Sequence, residues 1–239
     1  MQQTAYTMDM NYSEISSIEP VVAHLTRSIT SALHEGKTVT WLVPGGSAIE
    51  IAAYVSQNLT AGNLPLENLS VTLTDERYGS VGNPNENWHQ LERAGFTLPG
   101  ANLYRVLQPG LDRAETTERF NEKLGDFLTH TDFKIGFFGI GADGHTAGIK
   151  PRMIDMDTES YAVSYIGTDF ERITMTPRAI KLLDKVYAYA VGDEKASALR
   201  ELYNEEIYPA EQPAQVLKSA PSFTLFTDVD VLYDKEEQL

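Results

Sequence analysis

The chain has 239 residues, 42% of them hydrophobic, enough to bury one sizeable core. It contains no cysteine, which excludes disulfides, thiolate catalysis and cysteine-ligated metal centres and agrees with a cytoplasmic location. A formal net charge of −15 argues against nucleic acid and anionic membrane as partners, and an anionic substrate would need a locally basic pocket.

The opening stretch MQQTAYTMDMNYSEI has no basic start and no apolar core, so it does not read as a secretory signal. A helix is predicted over about 18–35, a strand over Thr38–Val43 and a helix over Ala48–Leu59. Leu69–Thr74 reads as a strand, Glu86–Ala94 as a helix and Asn102–Val106 as a strand. A charged helix follows over about 112–128, then a strand at Phe133–Phe138. Tyr161–Ile166 and Ile173–Thr176 read as short strands, Lys185–Val191 as a strand, Glu194–Tyr203 as a helix and Ser222–Thr227 as a last strand. No run approaches the length of a membrane span; Ile135–Ile140 is among the longest. The acid- and proline-rich segment Glu205–Gln215 is the best candidate for a boundary, but it is short, and the polar tail 234–239 reads as frayed.

Val- and Ile-rich strands alternating with helices predict one α/β domain over 1–239. Its sheet is doubly wound and mostly parallel, with helices on both faces. Such sheets bind ligands beyond the C-terminal ends of their strands. Four segments at those positions carry chemistry. Gly45-Gly46-Ser47 joins a strand to a helix, which aims backbone N–H groups and a helix dipole at one point, where phosphate binds well. It lacks the Gly-Lys-Ser/Thr ending of a nucleoside triphosphate loop. Asp75-Glu76-Arg77 ends a strand and leads into a long polar loop. Gly139-Ile-Gly-Ala-Asp-Gly144 matches a dinucleotide fingerprint, but Gly148 and Pro151 interrupt any helix beyond it, so the segment is read as a loop presenting His145. Arg172 and Lys195, taken as strand-end cations, have the charge to neutralise a phosphate.

In this order, the GGS loop, DER with Asn87 downstream, GIGADGHTAG, RITMT and GDEKASAL with Pro213-Ala214 resemble the 6-phosphogluconolactonase and glucosamine-6-phosphate deaminase superfamily. The resemblance spans about Leu42 to Ala214. It implies a doubly wound α/β domain that binds a sugar 6-phosphate without metal or cofactor. Lactonases resemble DER at the second loop, whereas deaminases tend to have DEY. Deaminases carry a glutamate five residues after the histidine, where this chain has Lys150. Lactonases usually read DGHTASLFP, and Gly148 and Lys150 depart from both branches.

The resulting expectation is hydrolysis of 6-phospho-D-glucono-1,5-lactone in the pentose phosphate pathway. His145 acts as general base, Arg77 stabilises the oxyanion, and Asp75 orients His145 or a substrate hydroxyl. Gly45, Gly46, Ser47, Arg172 and Lys195 hold the phosphate, and Asn87, Asp143 and Gly144 complete the substrate set. A monomer or weak homodimer is expected. The alternatives are an amino-sugar phosphate deaminase or isomerase, a non-catalytic sugar-phosphate binder and, more remotely, a nucleotide-dependent dehydrogenase.

Overall fold

The computed structural model describes residues 10–232; the beginning of the N-terminal stretch and the tail discussed above lie outside them. In chain order the elements are β1 (Asn11–Glu14), α1 (Glu19–His34), β2 (Val39–Val43), α2 (Ile49–Ala61), β3 (Leu69–Leu73), β4 (Asp75–Arg77), α3 (Asn87–Arg93) and β5 (Asn102–Leu103). Then come α4 (Arg113–His130), β6 (Phe133–Gly139), β7 (Ala162–Ile166), β8 (Glu171–Met175), α5 (Pro177–Ile180), β9 (Lys185–Tyr189), α6 (Ala196–Asn204) and β10 (Phe223–Thr227).

Seven strands form one parallel sheet in the order β1-β10-β9-β6-β2-β3-β5. All five residues of β2, VTWLV, are buried, so both faces of the sheet are covered at its centre. That explains the continuous apolar runs, which replace the alternation of a one-sided sheet. Helix α1 buries Val21, Leu25, Ile29, Ala32 and Leu33, an inward stripe at the 3–4 residue spacing of one helix face. Helix α4 is polar on average but starts on a capping box, with Asp112 accepting from the Glu115 N–H and Glu115 accepting from the Asp112 N–H.

From β2 the chain winds outward through β3 to β5; from β6 it winds the other way through β9 to β10. The order therefore reverses between β2 and β6, which are paired directly from Val39↔Phe133 to Leu42↔Gly136. A crevice opens at such a switch point because the loops leaving the two strands part to opposite sides. Here those loops are Gly45-Gly46-Ser47 and Gly139–His145.

The expectation fails in an instructive place. Asp75-Glu76-Arg77 does not end the preceding strand but forms one of its own, in a second, antiparallel sheet in the order β4-β8-β7. Thr74 is the hinge: its N–H donates to the Val43 carbonyl of the large sheet, and its carbonyl accepts from Met175 N–H of the small one. Arg172 consequently lies inside β8, opposite Arg77, and not at a strand end. Strand β1 was not foreseen because NYSE lacks apolar character. The Glu205–Gln215 segment does not behave as a linker: Gln212 and Gln215 are buried, and the following 3₁₀ turn Pro213–Ser219 buries Ala214, Val216 and Leu217 in the core.

Candidate active site

The sheet edge and the small sheet enclose a cleft of about 340 Å³. Of the expected site residues, Gly45, Gly46, Ser47, Asp75, Arg77, Asn87, His145, Arg172 and Lys195 line it. Asp143 and Gly144 support it from behind, as their contacts show.

The loop after β2 turns at Gly45 and enters a 3₁₀ turn, Gly46–Ala48, that continues into α2. The first N–H groups of such a turn have no acceptor earlier in the helix and remain available to an anion. Gly46 has φ +67°, with no atom within 4 Å of where a Cβ would stand. At Gly45 a Cβ would come 2.5 Å from the Asn87 amide, so glycine is needed for the second loop to approach the first. Asn87 donates to the Asp75 carbonyl at 3.0 Å, and its own Oδ1 is buried without a partner.

His145 follows β6 on a loop closed by two hydrogen bonds, Gly141 N–H to the His145 carbonyl and Gly144 N–H to the Gly141 carbonyl. No helix follows the glycines, which removes the dinucleotide geometry. A Cβ on Gly141 would overlap the imidazole, so that glycine gives the ring its seat. The Nδ1 atom of His145 lies 2.5 Å from Asp143 Oδ1. Burial pushes the Asp143 carboxyl up, but its hydrogen bonds and charge pairing with His145 outweigh this and hold it below the usual range. An ionised carboxylate only accepts, so Nδ1 donates in this contact, and Nε2 is the ring nitrogen left for a substrate or water. The expectation had Asp75 orient His145 or a substrate hydroxyl; the contact to His145 Nδ1 is made by Asp143. Gly144, with φ +74°, packs against Gln212, and its carbonyl accepts from Ala214 N–H, so it fixes the loop to the 3₁₀ turn behind it.

Asp75 and Glu76 are buried beneath the cleft. Burial raises the Asp75 carboxyl against the opposing pull of Thr74, Arg172, His145 and Arg77. Burial likewise pushes Glu76 up to about 8, although three backbone N–H groups, of Asn87, Trp88 and Arg77, donate to it. Glu76 thereby ties the start of α3 to β4. Its sequence signal, an acid at the end of an otherwise buried strand, was present, but no role was assigned to it.

The chain is acidic, yet four cations line the cleft: Arg77, Lys150, Arg172 and Lys195. Lys195 has no ion-pair partner among the described residues. Arg77 and Arg172 lie opposite one another on β4 and β8 with the Phe170 ring beside both, 4.7 Å and 5.8 Å from the guanidinium carbons. The Nε of each is buried without a partner. Asp169, which the sequence did not single out, accepts from Arg172 at 2.7 Å and from Lys150 at 3.2 Å. Among the described residues, no group of three or more His, Asp or Glu side chains is placed to share a metal ion.

The model of the family described as glucosamine-6-phosphate isomerases/6-phosphogluconolactonase matches residues 13–225. The chain belongs to this family. Among its relatives, the 6-phosphogluconolactonase of Synechocystis sp. is 26% identical over 210 residues, covering 84% of this chain and 86% of the relative. That of Haemophilus influenzae is 23% identical over 221 residues, covering 90% and 95%. The crystal structure of a 6-phosphogluconolactonase from Shewanella baltica matches with a TM-score of 0.78 at 19% identity, covering 92% of this chain and 98% of that one. A monomeric glucosamine-6-phosphate deaminase matches with a TM-score of 0.75 at 20% identity, covering 93% and 99%. The family fold therefore accommodates both chemistries, and the side chains in the cleft must separate them.

Proposed function

We propose that this chain hydrolyses 6-phospho-D-glucono-1,5-lactone to 6-phospho-D-gluconate. One observation carries the reading. His145 is oriented by Asp143 in a cationic cleft, while the position five residues on, where the resemblance puts a deaminase glutamate, is Lys150 in an ion pair with Asp169. Lys150, paired with Asp169, does not replace the carboxylate base of the deaminase resemblance, and His145 is the base we assign.

The Gly45-Gly46-Ser47 turn and Lys195 hold the phosphate, with Arg172 beside them, and place C1 of the lactone at His145. Nε2 takes a proton from water as its oxygen attacks C1. Negative charge gathers on the carbonyl oxygen, where Arg77 stabilises it. Asp143 stabilises the imidazolium through Nδ1. The C1–O bond to the ring oxygen then breaks, the imidazolium returns its proton to that oxygen, and the new carboxylic acid ionises in water. General base catalysis of this kind contributes about 10²–10⁴-fold. No step needs a metal or cofactor. We read residues 1–239 as one domain and the protein as a cytoplasmic monomer or weak homodimer acting on a small sugar phosphate.

The test is proton release from freshly made lactone near pH 7, with wild type, His145→Ala and an enzyme-free blank. Fast turnover that falls about 10²-fold or more in the variant supports the reading. Turnover within a few-fold of wild type removes His145 as base. Ammonia released from glucosamine 6-phosphate would indicate the deaminase, and binding of 6-phosphogluconate without turnover a sugar-phosphate binder.

A further inference from the structure

Two cation sets reach the cleft from different parts of the fold. The Gly45-Gly46-Ser47 turn and Lys195 come from the ends of β2 and β9, which flank β6 in the large sheet. Arg77 and Arg172 come from the small sheet, with Lys150 on the loop beyond His145. Lys195 has no counter-ion among the described residues, but Arg172 and Lys150 share one, the carboxylate of Asp169.

Asp169 sits where the β7–β8 hairpin turns, between Ile166 and Glu171, in a turn closed by a hydrogen bond from Gly167 N–H to the Phe170 carbonyl. The next residue, Phe170, lies against both arginines. Burial alone would raise the Asp169 carboxyl, but the Phe170 N–H, Arg172 and Lys150 hold it well below the usual range, so it is fully ionised near neutral pH. Its side chain is still 37% exposed, at the edge of the cleft and not sealed within it. A carboxylate on Arg172 Nη2 and Lys150 Nζ uses the donors that a phosphate or carboxylate ligand would use. Arg172 meanwhile keeps a buried Nε without an acceptor, so Asp169 satisfies that guanidinium only in part.

We propose that Asp169 is a built-in competitor for the anionic group of the ligand: it pairs with Arg172 and Lys150 and is displaced when the ligand's phosphate takes those donors. This deepens the sugar-phosphate reading and rests on it. Asp169 then sets the affinity of the cleft for phosphate ligands, substrate included. It weakens binding of free phosphate and of the anionic product, and leaves occupancy of the cleft to ligands that add further contacts. Lys150, the departure from both branches of the family resemblance, becomes a phosphate-facing cation whose availability Asp169 sets.

The sign of one measurement decides this. Inorganic phosphate is titrated calorimetrically into wild type, Asp169→Asn and Asp169→Ser, with unfolding midpoints showing that each variant is folded. A competitor predicts that both variants bind phosphate more tightly, roughly three- to tenfold for a part-exposed ion pair. The double variant D169N/K150M should lose most of that gain. Equal or weaker phosphate binding in both Asp169 variants would overturn the proposal, because it would make Asp169 an organiser of the two cations. Under the competitor, the KM for lactone also falls in D169N while kcat holds. Wild type without lactone turnover would sink the hydrolase reading, and the phosphate titration would still decide the role of Asp169.

Discussion

At the scale of single residues, the cleft depends on contacts that a composition-level reading does not reveal. Asp143 is two residues from His145, and its carboxylate reaches both the His145 N–H and the imidazole Nδ1. Asp143→Asn keeps an acceptor for Nδ1–H but removes the charge that favours imidazolium. We expect kcat for lactone hydrolysis to fall about 10- to 100-fold with KM within a few-fold. A matched rise in KM would instead place Asp143 on the substrate. Gly148 makes a different point. The lactonase resemblance has serine here, yet a Cβ at Gly148 would lie 2.8 Å from Thr174 Cβ and 3.1 Å from Asp75 Cβ. Its N–H donates to Thr174 Oγ1 and its carbonyl accepts from Tyr165. The glycine lets the His145 loop lie flat against the small sheet. Gly148→Ser should therefore destabilise this protein by about 1–3 kcal/mol, read as a lower urea midpoint. An unchanged midpoint would mean that the small sheet moves aside freely.

At the scale of elements, Glu76 holds β4 to α3. It accepts from the N–H of Asn87 at 2.7 Å and of Trp88 at 3.1 Å, the first two residues of the helix. An acid here satisfies groups that a helix start leaves open. Glu76→Ala would leave those N–H groups buried without acceptors and free the start of α3, which carries Asn87 against Gly45. The expected loss is about 1–3 kcal/mol of stability, together with a higher KM for lactone as the phosphate loop loses its backing. Stability lost at unchanged KM would show that Asn87 does not shape that loop. The same region marks where sequence reading reached its limit. Strands β2, β3, β6, β9 and β10 were legible because burial on both faces writes short runs dominated by apolar and β-branched residues. The GGS and DGH loops were legible because strand ends of such a sheet face ligand. Strand β4 was not, because DER is polar and gets its partners from β8, nearly a hundred residues away. Long-range antiparallel pairing leaves no local period to read, so Arg172 was assigned to a strand end when it sits within a strand. Asp169 was missed for a related reason: an acid in a hairpin turn reads as a solvated turn until the fold brings Lys150 to it.

At the scale of the whole molecule, the chain folds around two acids that burial disfavours as anions. Glu76 is pushed from about 4.5 to about 8, burial outweighing its three N–H donors, and Asp75 is shifted in the same direction for the same reason. A carboxyl whose pKa is higher folded than unfolded binds more protons in the native state throughout the window between the two values. Stability then falls as pH rises through that window, from about 4.5 to about 8 for Glu76. This is the reverse of the usual case, in which paired carboxylates stabilise the native state above their unfolded pKa. The net charge of −15 could also produce a loss at higher pH through self-repulsion, so wild type alone does not isolate the effect. Glu76→Gln removes the titration and keeps the side-chain size, with its carbonyl oxygen still able to accept from Asn87 N–H while Trp88 N–H loses its acceptor at either pH. Urea midpoints at pH 5.5 and 8.5 should fall further for wild type than for E76Q, the difference between the two proteins being the linkage of this one group. If both lose the same amount, Glu76 is already ionised at pH 5.5 in the folded protein. Its three backbone donors would then outweigh its burial, and β4 would be held to α3 by a charge-assisted cap.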